Sequence, residues 1–220
     1  MAITLYYHPL ASFCQKVLIA LYENGTAFEK RLIDLGTEED RAELAAIWPI
    51  CKFPVIRDDA RHRDVAESSS IIEYLDHFYA GAAPLLPPDW EAAHDVRHWD
   101  RIFDNHVQVP MQAIVLDRIT GSKGDMARER AMLATAYRMI EARMATRQWI
   151  AADSFSMADC AAAPALFYAA TLVPFPAGAR HLGAYFERLI ARPSVRRVLD
   201  EAKPYFSMYP FAEAIPARFR

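Results

Sequence analysis

The pattern of apolar and polar positions changes about eighty residues into the chain. Before that point, apolar runs of strand length recur at residues 3–7, 28–33, 55–56 and 65–66. Between and after them, apolar residues recur at helical spacing in the segments 12–24, 38–47 and 68–79. From residue 90 to 202 helical spacing dominates. The pattern therefore predicts a βαβαββα unit followed by an all-helical unit.

The segment from Gly81 to Pro88 is the one linker-like stretch, since it combines a glycine with three prolines. We therefore expect a first domain at 1–80, a linker at 81–88 and a helical domain at 89–220. In the first domain a β-α-β start implies a parallel strand pair. The later hairpin adds antiparallel strands to the same sheet, so the fold class is α/β followed by all-α.

Cap residues mark several of the predicted helices. Ser12 can cap the first helix, which Asn24 and Gly25 should end. Ser156 and Asp159 form a short-armed capping box before another apolar helix. The segment 204–220 is rich in aromatic residues, so we expect it to pack over the helical domain.

Composition narrows the classes of function. The chain has 220 residues, 53% of them hydrophobic, and a formal charge of −3, which provides no field to attract a nucleic acid. The start passes directly into Ile3–Tyr7, and no apolar run is long enough for a membrane span. Cys14, Cys51 and Cys160 suggest neither a disulfide framework nor a metal site. We expect a cytoplasmic protein that contacts neither nucleic acid nor membrane.

The segment Cys51–Ile56 has a proline where a buried strand should begin. A proline has no N–H for a sheet ladder, so Pro54 fits a trans residue that starts the strand. A cis bond is the alternative, because it costs only about 0.5–1 kcal/mol before proline. The residues alone leave both readings open.

Several motifs stand together in one order: a strand-turn-helix opening, Lys52–Ile56, Glu67–Ile72 and Ser156–Asp159. In this order and spacing the chain resembles a cytosolic glutathione transferase along essentially its whole length. The resemblance implies a thioredoxin-like N-terminal domain followed by an all-helical domain. It also implies a cis Pro54 and a Phe53 backbone that pairs with the cysteinyl unit of glutathione.

The resemblance gives three more residues a role in binding glutathione. Glu67 would meet the ammonium group of the γ-glutamyl unit, and Ser68, at a helix start, would meet its carboxylate. Lys52 would reach the glycine carboxylate. The alternatives are a plain helix start for Glu67 and Ser68 and a solvated side chain for Lys52.

The turn from Tyr7 to Cys14 matches different classes of the family at different residues. The serine of the serine-using classes would more often fall on Ala11, and the cysteine of the bacterial beta class on Ser12. We favour Ser12 as the group that stabilises the glutathione thiolate, with Tyr7 or backbone N–H groups as alternatives. Cys14 should be packed and inert, and dithiol exchange is not expected because Ala11 lacks a thiol.

Two other regions shape the expected site. Trp48 and Cys51 depart from the asparagine and glycine of many relatives, which leaves Cys51 as a candidate second thiol. The electrophile should lie between the domains, near polar and soft side chains of the helix after Trp90: Arg101, Asn105, His106, Met111 and Gln112. A single histidine such as His106 is more often an interhelical residue than a catalytic one.

The expected function is a glutathione transferase that joins the thiolate to a small hydrophobic electrophile, in detoxification. Glutathione is then a cosubstrate, and we expect no other cofactor and no metal. The alternatives are a glutathione-dependent isomerase or peroxidase, and a non-catalytic glutathione-binding or assembly module. We also expect a homodimer, from the resemblance and from the apolar surface of the helix at 68–79.

Overall fold

The computed structural model describes residues 2–220. The first part consists of β1 (Ile3–Tyr7), α1 (Ser12–Asn24), β2 (Glu29–Leu32), α2 (Glu38–Ile47), β3 (Val55–Asp58), β4 (Arg63–Ala66) and α3 (Ser68–Phe78). The second part consists of α4 (Trp90–Ile102), a π-helical turn (Phe103–Gln108), α5 (Val109–Thr120), α6 (Ala127–Met144), α7 (Met157–Leu172), α8 (Arg180–Ala191) and α9 (Pro193–Ala202), followed by short 3-10 turns. The predicted fold class is confirmed.

The four strands form one mixed sheet in the order β2-β1-β3-β4. β1 pairs parallel with β2 and antiparallel with β3, and β3 and β4 form the hairpin. Successive side chains of a strand point to opposite faces. Leu5 therefore enters the main core with α1 and α3, whereas Tyr6 joins a small cluster with Leu44 of α2.

The sequence predicted the residue that ends α1 but not the residue that caps its start. Gly25 ends the helix in the left-handed region, at φ 64°, and its N–H donates to carbonyls of the last turn, as expected. At the start, the N-cap is Ala11, and Ser12 is the first helical residue. The expectation that Ser12 caps the helix is therefore wrong, and its hydroxyl is not used in a cap.

One helix was expected from Trp90 through Gln112, but the structure interrupts it with the π-helical turn between α4 and α5. Pro110 explains the interruption. It has no N–H to donate to the carbonyl of His106, and its ring would clash with that carbonyl in a regular α-helix. The turn widens there, and α5 starts with Pro110 in its first turn.

The segment between α3 and α4 is tied to both parts of the molecule. The backbone N–H groups of Leu85 and Leu86 donate to the Asp76 carboxylate at 2.9 and 3.0 Å. The N–H of Met157 donates to the Leu85 carbonyl at 2.9 Å. The domain bounds at 81–88 stay a prediction.

The end of the chain packs on the helices, as the aromatic pattern predicted. The ring of Phe167 on α7 contacts those of Phe206 and Phe219, with centroids 6.1 and 5.2 Å away. Tyr209 contacts Tyr168 at 5.1 Å. The C-terminal segment therefore covers part of the surface of α7.

Exposed apolar surface on α3 is smaller than expected. Its aliphatic residues Ile71, Ile72 and Leu75 are fully buried, and Phe78 is 37% exposed. No helix within residues 2–220 is both long and apolar enough to cross a membrane.

Asp159 is the most heavily hydrogen-bonded of the predicted cap residues. Its carboxylate accepts from the Ser156 N–H and hydroxyl, both at 2.9 Å, from the Ile150 N–H at 3.2 Å and from the Tyr185 hydroxyl at 2.6 Å. The capping box is confirmed. Complete burial nevertheless raises the pKa of Asp159 to about 6, and the hydrogen bonds act in the opposite sense.

A raised carboxyl pKa makes stability depend on pH. The contribution of Asp159 to the free energy of unfolding is fully present below about pH 4, its unfolded pKa, and is lost as the pH rises through about 6. Tyr185 favours the ionised form. We therefore expect Tyr185→Phe to destabilise the fold by about 1.5–3 kcal/mol at pH 7.5 and by less at pH 4.5, measured by urea unfolding.

Tyr137→Phe is the matched control. Tyr137 is also fully buried, and its hydroxyl donates at 3.0 Å to the neutral carbonyl of Val173. Its loss should cost about 1 kcal/mol at both pH values. An equal pH response of the two variants would contradict the role of Asp159.

Candidate functional site

Two pockets lie side by side where the two parts of the chain meet. The polar pocket, about 260 Å³, is lined by Phe13, Trp48, Lys52, Phe53, Pro54, Ala66, Glu67, Ser68, Ser69, Arg101, Asp104, Asn105 and Val109. The apolar pocket, about 450 Å³, is lined by His8, Leu10, Ala11, Ser12, Met111, Gln112, Ala113, Val115, Leu116, Ile119, Tyr168, Met208, Tyr209 and Pro210. They adjoin because Ser12 and Phe13, consecutive in α1, line one each.

Most of the residues expected to bind glutathione share the polar pocket, and Ser12 lines the apolar pocket instead. Five of them line the polar pocket: Lys52, Phe53, Pro54, Glu67 and Ser68, which come from the segment just before β3 and from the start of α3. Side chains from the α4 end and the π-helical turn close its other side. The structure thus brings these five predicted residues together, although they come from two separate stretches of sequence.

The loop before β3 shapes one wall of the polar pocket. The Cys51 N–H donates to the Trp48 carbonyl at 2.8 Å, and Cys51 has a left-handed backbone at φ 53°. Its thiol donates at 3.5 Å to the carbonyl of Arg41 and does not line either pocket. The Phe53–Pro54 peptide bond is cis, and Pro54 is buried.

The start of α3 presents unpaired backbone donors to the polar pocket. The first N–H groups of a helix have no intrahelical acceptor. Glu67 is the N-cap, in the left-handed region at φ 67°, and within residues 2–220 no side chain caps this helix. The N–H groups near Ser68 and the positive end of the helix dipole are therefore available for an anion.

A buried ion cluster lies beneath this helix start. Lys16 of α1 is 1% exposed, and its ammonium contacts Asp100 at 2.6 Å and Asp104 at 2.8 Å and donates to the Ser69 hydroxyl at 2.9 Å. Ser69 in turn donates to Asp100 at 2.7 Å. Arg101 donates to Ser69 at 3.1 Å from the pocket side. The cluster joins α1, α3, α4 and the π-helical turn.

Asp104 belongs to both the cluster and the pocket wall. Burial raises the pKa of its carboxyl group, while the ammonium of Lys16 acts in the opposite sense. Sequence reasoning missed Asp104. It placed Arg101 and Asn105 near the electrophile, but both line the polar pocket instead.

The three residues considered at the catalytic turn have different positions. Ser12 lines the apolar pocket at the start of α1, is 3% exposed, and its hydroxyl makes no hydrogen bond to any other described residue. Tyr7 is buried in the core and lines neither pocket, and burial raises its pKa to about 12. Burial also raises the pKa of the Cys14 thiol, which is fully enclosed.

His8, which sequence reasoning overlooked, stands between the two pockets. It lines the apolar pocket, and its ring stacks on Phe53 of the polar pocket with centroids 6.2 Å apart. Its Nδ1 accepts from the Leu10 N–H at 3.2 Å. Burial lowers the pKa of His8, which favours the neutral ring.

The far wall of the apolar pocket is formed by α5, α7 and the end of the chain. Met111 and Gln112 line it, and His106 lines neither pocket. Tyr168 and Tyr209 were not predicted as site residues. Among the described residues, no three His, Cys, Asp or Glu side chains gather where they could hold a metal ion.

Comparisons with known proteins agree with this two-part arrangement. A family model described as the glutathione S-transferase N-terminal domain matches residues 5–83, and one described as the C-terminal domain matches residues 102–193. Glutathione S-transferase F10 of Arabidopsis thaliana is 27% identical over 208 residues, which cover 87% of this chain and 94% of the plant protein.

Solved structures give the same result. Poplar glutathione transferase F1 superposes with a TM-score of 0.80 at 21% identity, over 93% of this chain and 99% of its own. A glutathione S-transferase of Methylobacterium radiotolerans, in complex with glutathione sulfonate, superposes with a TM-score of 0.76 at 25% identity, over 89% and 93% of the two chains. The two family models together match most of the chain, and it belongs to the glutathione S-transferase family.

Proposed function

We propose that the protein is a glutathione transferase, with glutathione in the polar pocket and an electrophile in the apolar pocket. The charges of the polar pocket carry this proposal. Glutathione has two carboxylates and one ammonium group. The pocket offers Lys52 for one carboxylate, the start of α3 at Ser68 for the other, and Glu67 for the ammonium group.

The position of Phe53 supports the same binding mode. Phe53 lines the polar pocket together with Lys52 and Ser68, in the segment just before β3, where an extended peptide can pair with the backbone. The cysteinyl unit of glutathione would take this place, with Pro54 behind it. Its sulfur would then point toward the start of α1, where Ser12 lies.

The chemistry requires glutathione as thiolate, because the thiol is a poor nucleophile with an ordinary pKa of about 8.5. Lowering this pKa by about two units needs roughly 2.7 kcal/mol of preferential stabilisation of the thiolate. A hydrogen bond to a charged group contributes about 1.5–3 kcal/mol, and a helix start about 0.3–1 more. The Ser12 hydroxyl, which has no other partner among the described residues, and the start of α1 together suffice.

The second substrate is a small hydrophobic electrophile. The apolar pocket is walled by aliphatic, methionine and tyrosine side chains and begins at Ser12. A thiolate held at Ser12 would face such a molecule directly. Detoxification of electrophiles in the cytoplasm is the role we propose.

The thiolate assignment predicts a change in the pKa of bound glutathione. If Ser12 donates to the sulfur, Ser12→Ala should raise this pKa by about one to two units. At neutral pH less thiolate forms, and the pH profile of kcat/KM moves upward by the same amount. Thiolate absorbance against pH, with glutathione bound, measures this directly.

Tyr7→Phe is the control, because Tyr7 lines neither pocket. It should leave the thiol pKa unchanged. A shift in Tyr7→Phe without one in Ser12→Ala would reverse the two assignments, and no shift in either would assign the thiolate to the helix N–H groups.

The binding mode predicts that each charged side chain recognises one end of glutathione. Glu67→Gln should weaken glutathione binding about tenfold. It should leave unchanged the binding of a glutathione analogue that lacks the amino group, because that analogue has no ammonium for Glu67 to contact. Lys52→Met should weaken glutathione about tenfold and leave γ-glutamylcysteine, which lacks the glycine carboxylate, unchanged. Calorimetric Kd values for both variants with all three ligands measure this.

Glu39→Gln controls for the change of net charge, because Glu39 is an exposed residue of α2 outside both pockets. It should bind all three ligands as the wild type does. If both variants lost affinity for all three ligands equally, the assignment of Glu67 and Lys52 to separate ends of glutathione would be wrong.

We also propose a homodimer that uses the surface around Phe78. This ring is 37% exposed at the end of α3, with the Arg61 guanidinium 4.0 Å from its centroid, and a partner could bury both side chains. Sedimentation equilibrium at micromolar concentration should give twice the chain mass of 25.0 kDa. Phe78→Glu should shift the measured mass toward that of the monomer. Met139→Glu also places a glutamate at a partly exposed apolar position, in α6, and should leave the measured mass unchanged.

A 25.0 kDa species alone in the wild type would refute the homodimer. Equal dissociation in the two variants would place the interface elsewhere than at Phe78.

A further inference from the structure

One nitrogen of the His8 ring is engaged by the backbone, and the other is not. The Leu10 N–H donates to Nδ1 at 3.2 Å. A backbone N–H can only donate, so Nδ1 carries no proton, and the proton of the neutral ring is on Nε2. Among residues 2–220 no group makes a hydrogen bond with Nε2, and this atom is not shut off from solvent. Nε2–H is therefore an accessible donor without an acceptor in the described protein.

The surroundings of His8 keep its ring in this neutral form. Burial lowers the pKa of His8, while the carboxylate of Asp34 acts in the opposite sense. Protonation would also place a hydrogen on Nδ1 and so break the hydrogen bond from the Leu10 N–H. At neutral pH the ring can therefore donate through Nε2, but it has no free nitrogen to take a proton from a thiol.

Contacts on several sides fix the place of the ring. Its centroid lies 6.2 Å from that of Phe53, with the planes stacked, and 5.7 Å from that of Tyr205, which meets it edge-on. The backbone carbonyl of His8 accepts from the Ala11 N–H at 3.0 Å, which closes the turn between β1 and α1. His8 thus touches Phe53, where the cysteinyl unit of glutathione is proposed to pair, and lines the same pocket as Ser12.

We propose that His8 is a second catalytic residue, whose Nε2–H donates a hydrogen bond to the sulfur of glutathione alongside the Ser12 hydroxyl. This inference rests on the proposed transferase function. His8 and Ser12 stand at the two ends of the turn that joins β1 to α1. A sulfur atom between Phe53 and Ser12 can therefore receive one donor from each end of this turn.

The ionisation step needs no base from the protein. The S–H bond of glutathione breaks, the electron pair stays on the sulfur, and the proton passes to solvent water, because His8 in this tautomer cannot hold it. A donor to an anionic sulfur forms a charge-assisted hydrogen bond. Since the ring is already held in place, it stabilises the charge without first having to be oriented. We expect this contact to lower the pKa of bound glutathione by about one unit.

The test uses two amides that each replace one nitrogen of the ring. The amide of asparagine reaches as far as Nδ1, so His8→Asn can still accept from the Leu10 N–H but loses the donor at Nε2. The amide of glutamine reaches as far as Nε2, so His8→Gln restores an N–H donor there. His8→Asn should raise the pKa of bound glutathione by about one unit, and His8→Gln by less than half as much. Thiolate absorbance against pH, at saturating glutathione, measures both.

Two controls separate the thiolate contact from the shape of the site. S-methylglutathione has a thioether and forms no thiolate, so its calorimetric Kd for His8→Asn should stay within about twofold of the wild-type value. His94→Asn makes the same substitution at an exposed position of α4 outside both pockets, and should leave the pKa of bound glutathione unchanged. The double variant of His8→Asn and Ser12→Ala should raise this pKa further than Ser12→Ala alone.

The outcomes also distinguish this inference from the proposed function. Equal shifts in His8→Asn and His8→Gln, no shift in His8→Asn, or loss of S-methylglutathione binding in His8→Asn would each overturn the role of Nε2–H while the transferase activity stands. A shift in His8→Gln alone would assign the effect to the Leu10 contact and overturn the inference as well. Absence of a thiolate signal and of conjugation in the wild type would instead overturn the proposed function, and this inference with it.

Discussion

The ammonium group of Lys16 is the constraint on which the arrangement of both pockets depends. A cation that is removed from water needs opposite charges and acceptors on all sides, because an unpaired buried charge costs many kcal/mol. Lys16 finds them in Asp100, Asp104 and Ser69. These partners belong to three other segments, so α1 can only stay in place while α3, α4 and the π-helical turn stay with it.

This cluster fixes the functional groups that lie around it. Ser69 follows Ser68 at the start of α3, and Asp104 belongs to the wall of the polar pocket. On α1, Lys16 comes one turn after Ser12 and directly after Gln15, whose side-chain amide donates to the Tyr168 hydroxyl at 3.0 Å. The Lys16 cluster therefore holds in place the site proposed for the thiolate, the helix start beside it and the Tyr168 wall of the apolar pocket.

The sequence was sufficient for the strands and most helices, because their patterns are local. Alternation at residues 3–7 and the Gly25 stop depend on neighbours a few positions away. The motifs around Pro54 and Glu67 likewise brought five residues to one pocket. Lys16 could not be found in this way, since nothing adjacent to it in sequence indicates that carboxylates 84 and 88 positions later enclose its ammonium group.

The same limit applies to the apolar pocket. Tyr168 lies in a helix that is almost uniformly apolar, so no periodicity distinguishes its pocket-facing residues from its core residues. Its hydroxyl accepts a hydrogen bond from the Gln15 amide of α1, which is 153 positions away in sequence. Arg101 and Asn105 line the polar pocket, whereas Met111 and Gln112 line the apolar one. The sequence could not show this separation, because an uninterrupted helix was assumed through Pro110.

The π-helical turn between α4 and α5 gives this fold a simple way to change its substrates. Residues before and within the turn line the polar pocket, and residues from Met111 onward line the apolar one. In an α-helix each residue advances the chain by about 100° around the axis. Loss or gain of one residue in the turn would thus rotate the whole pocket face of α5 while Asp104 and the Lys16 cluster stayed fixed. A single insertion or deletion could therefore reshape the apolar pocket without disturbing the polar one.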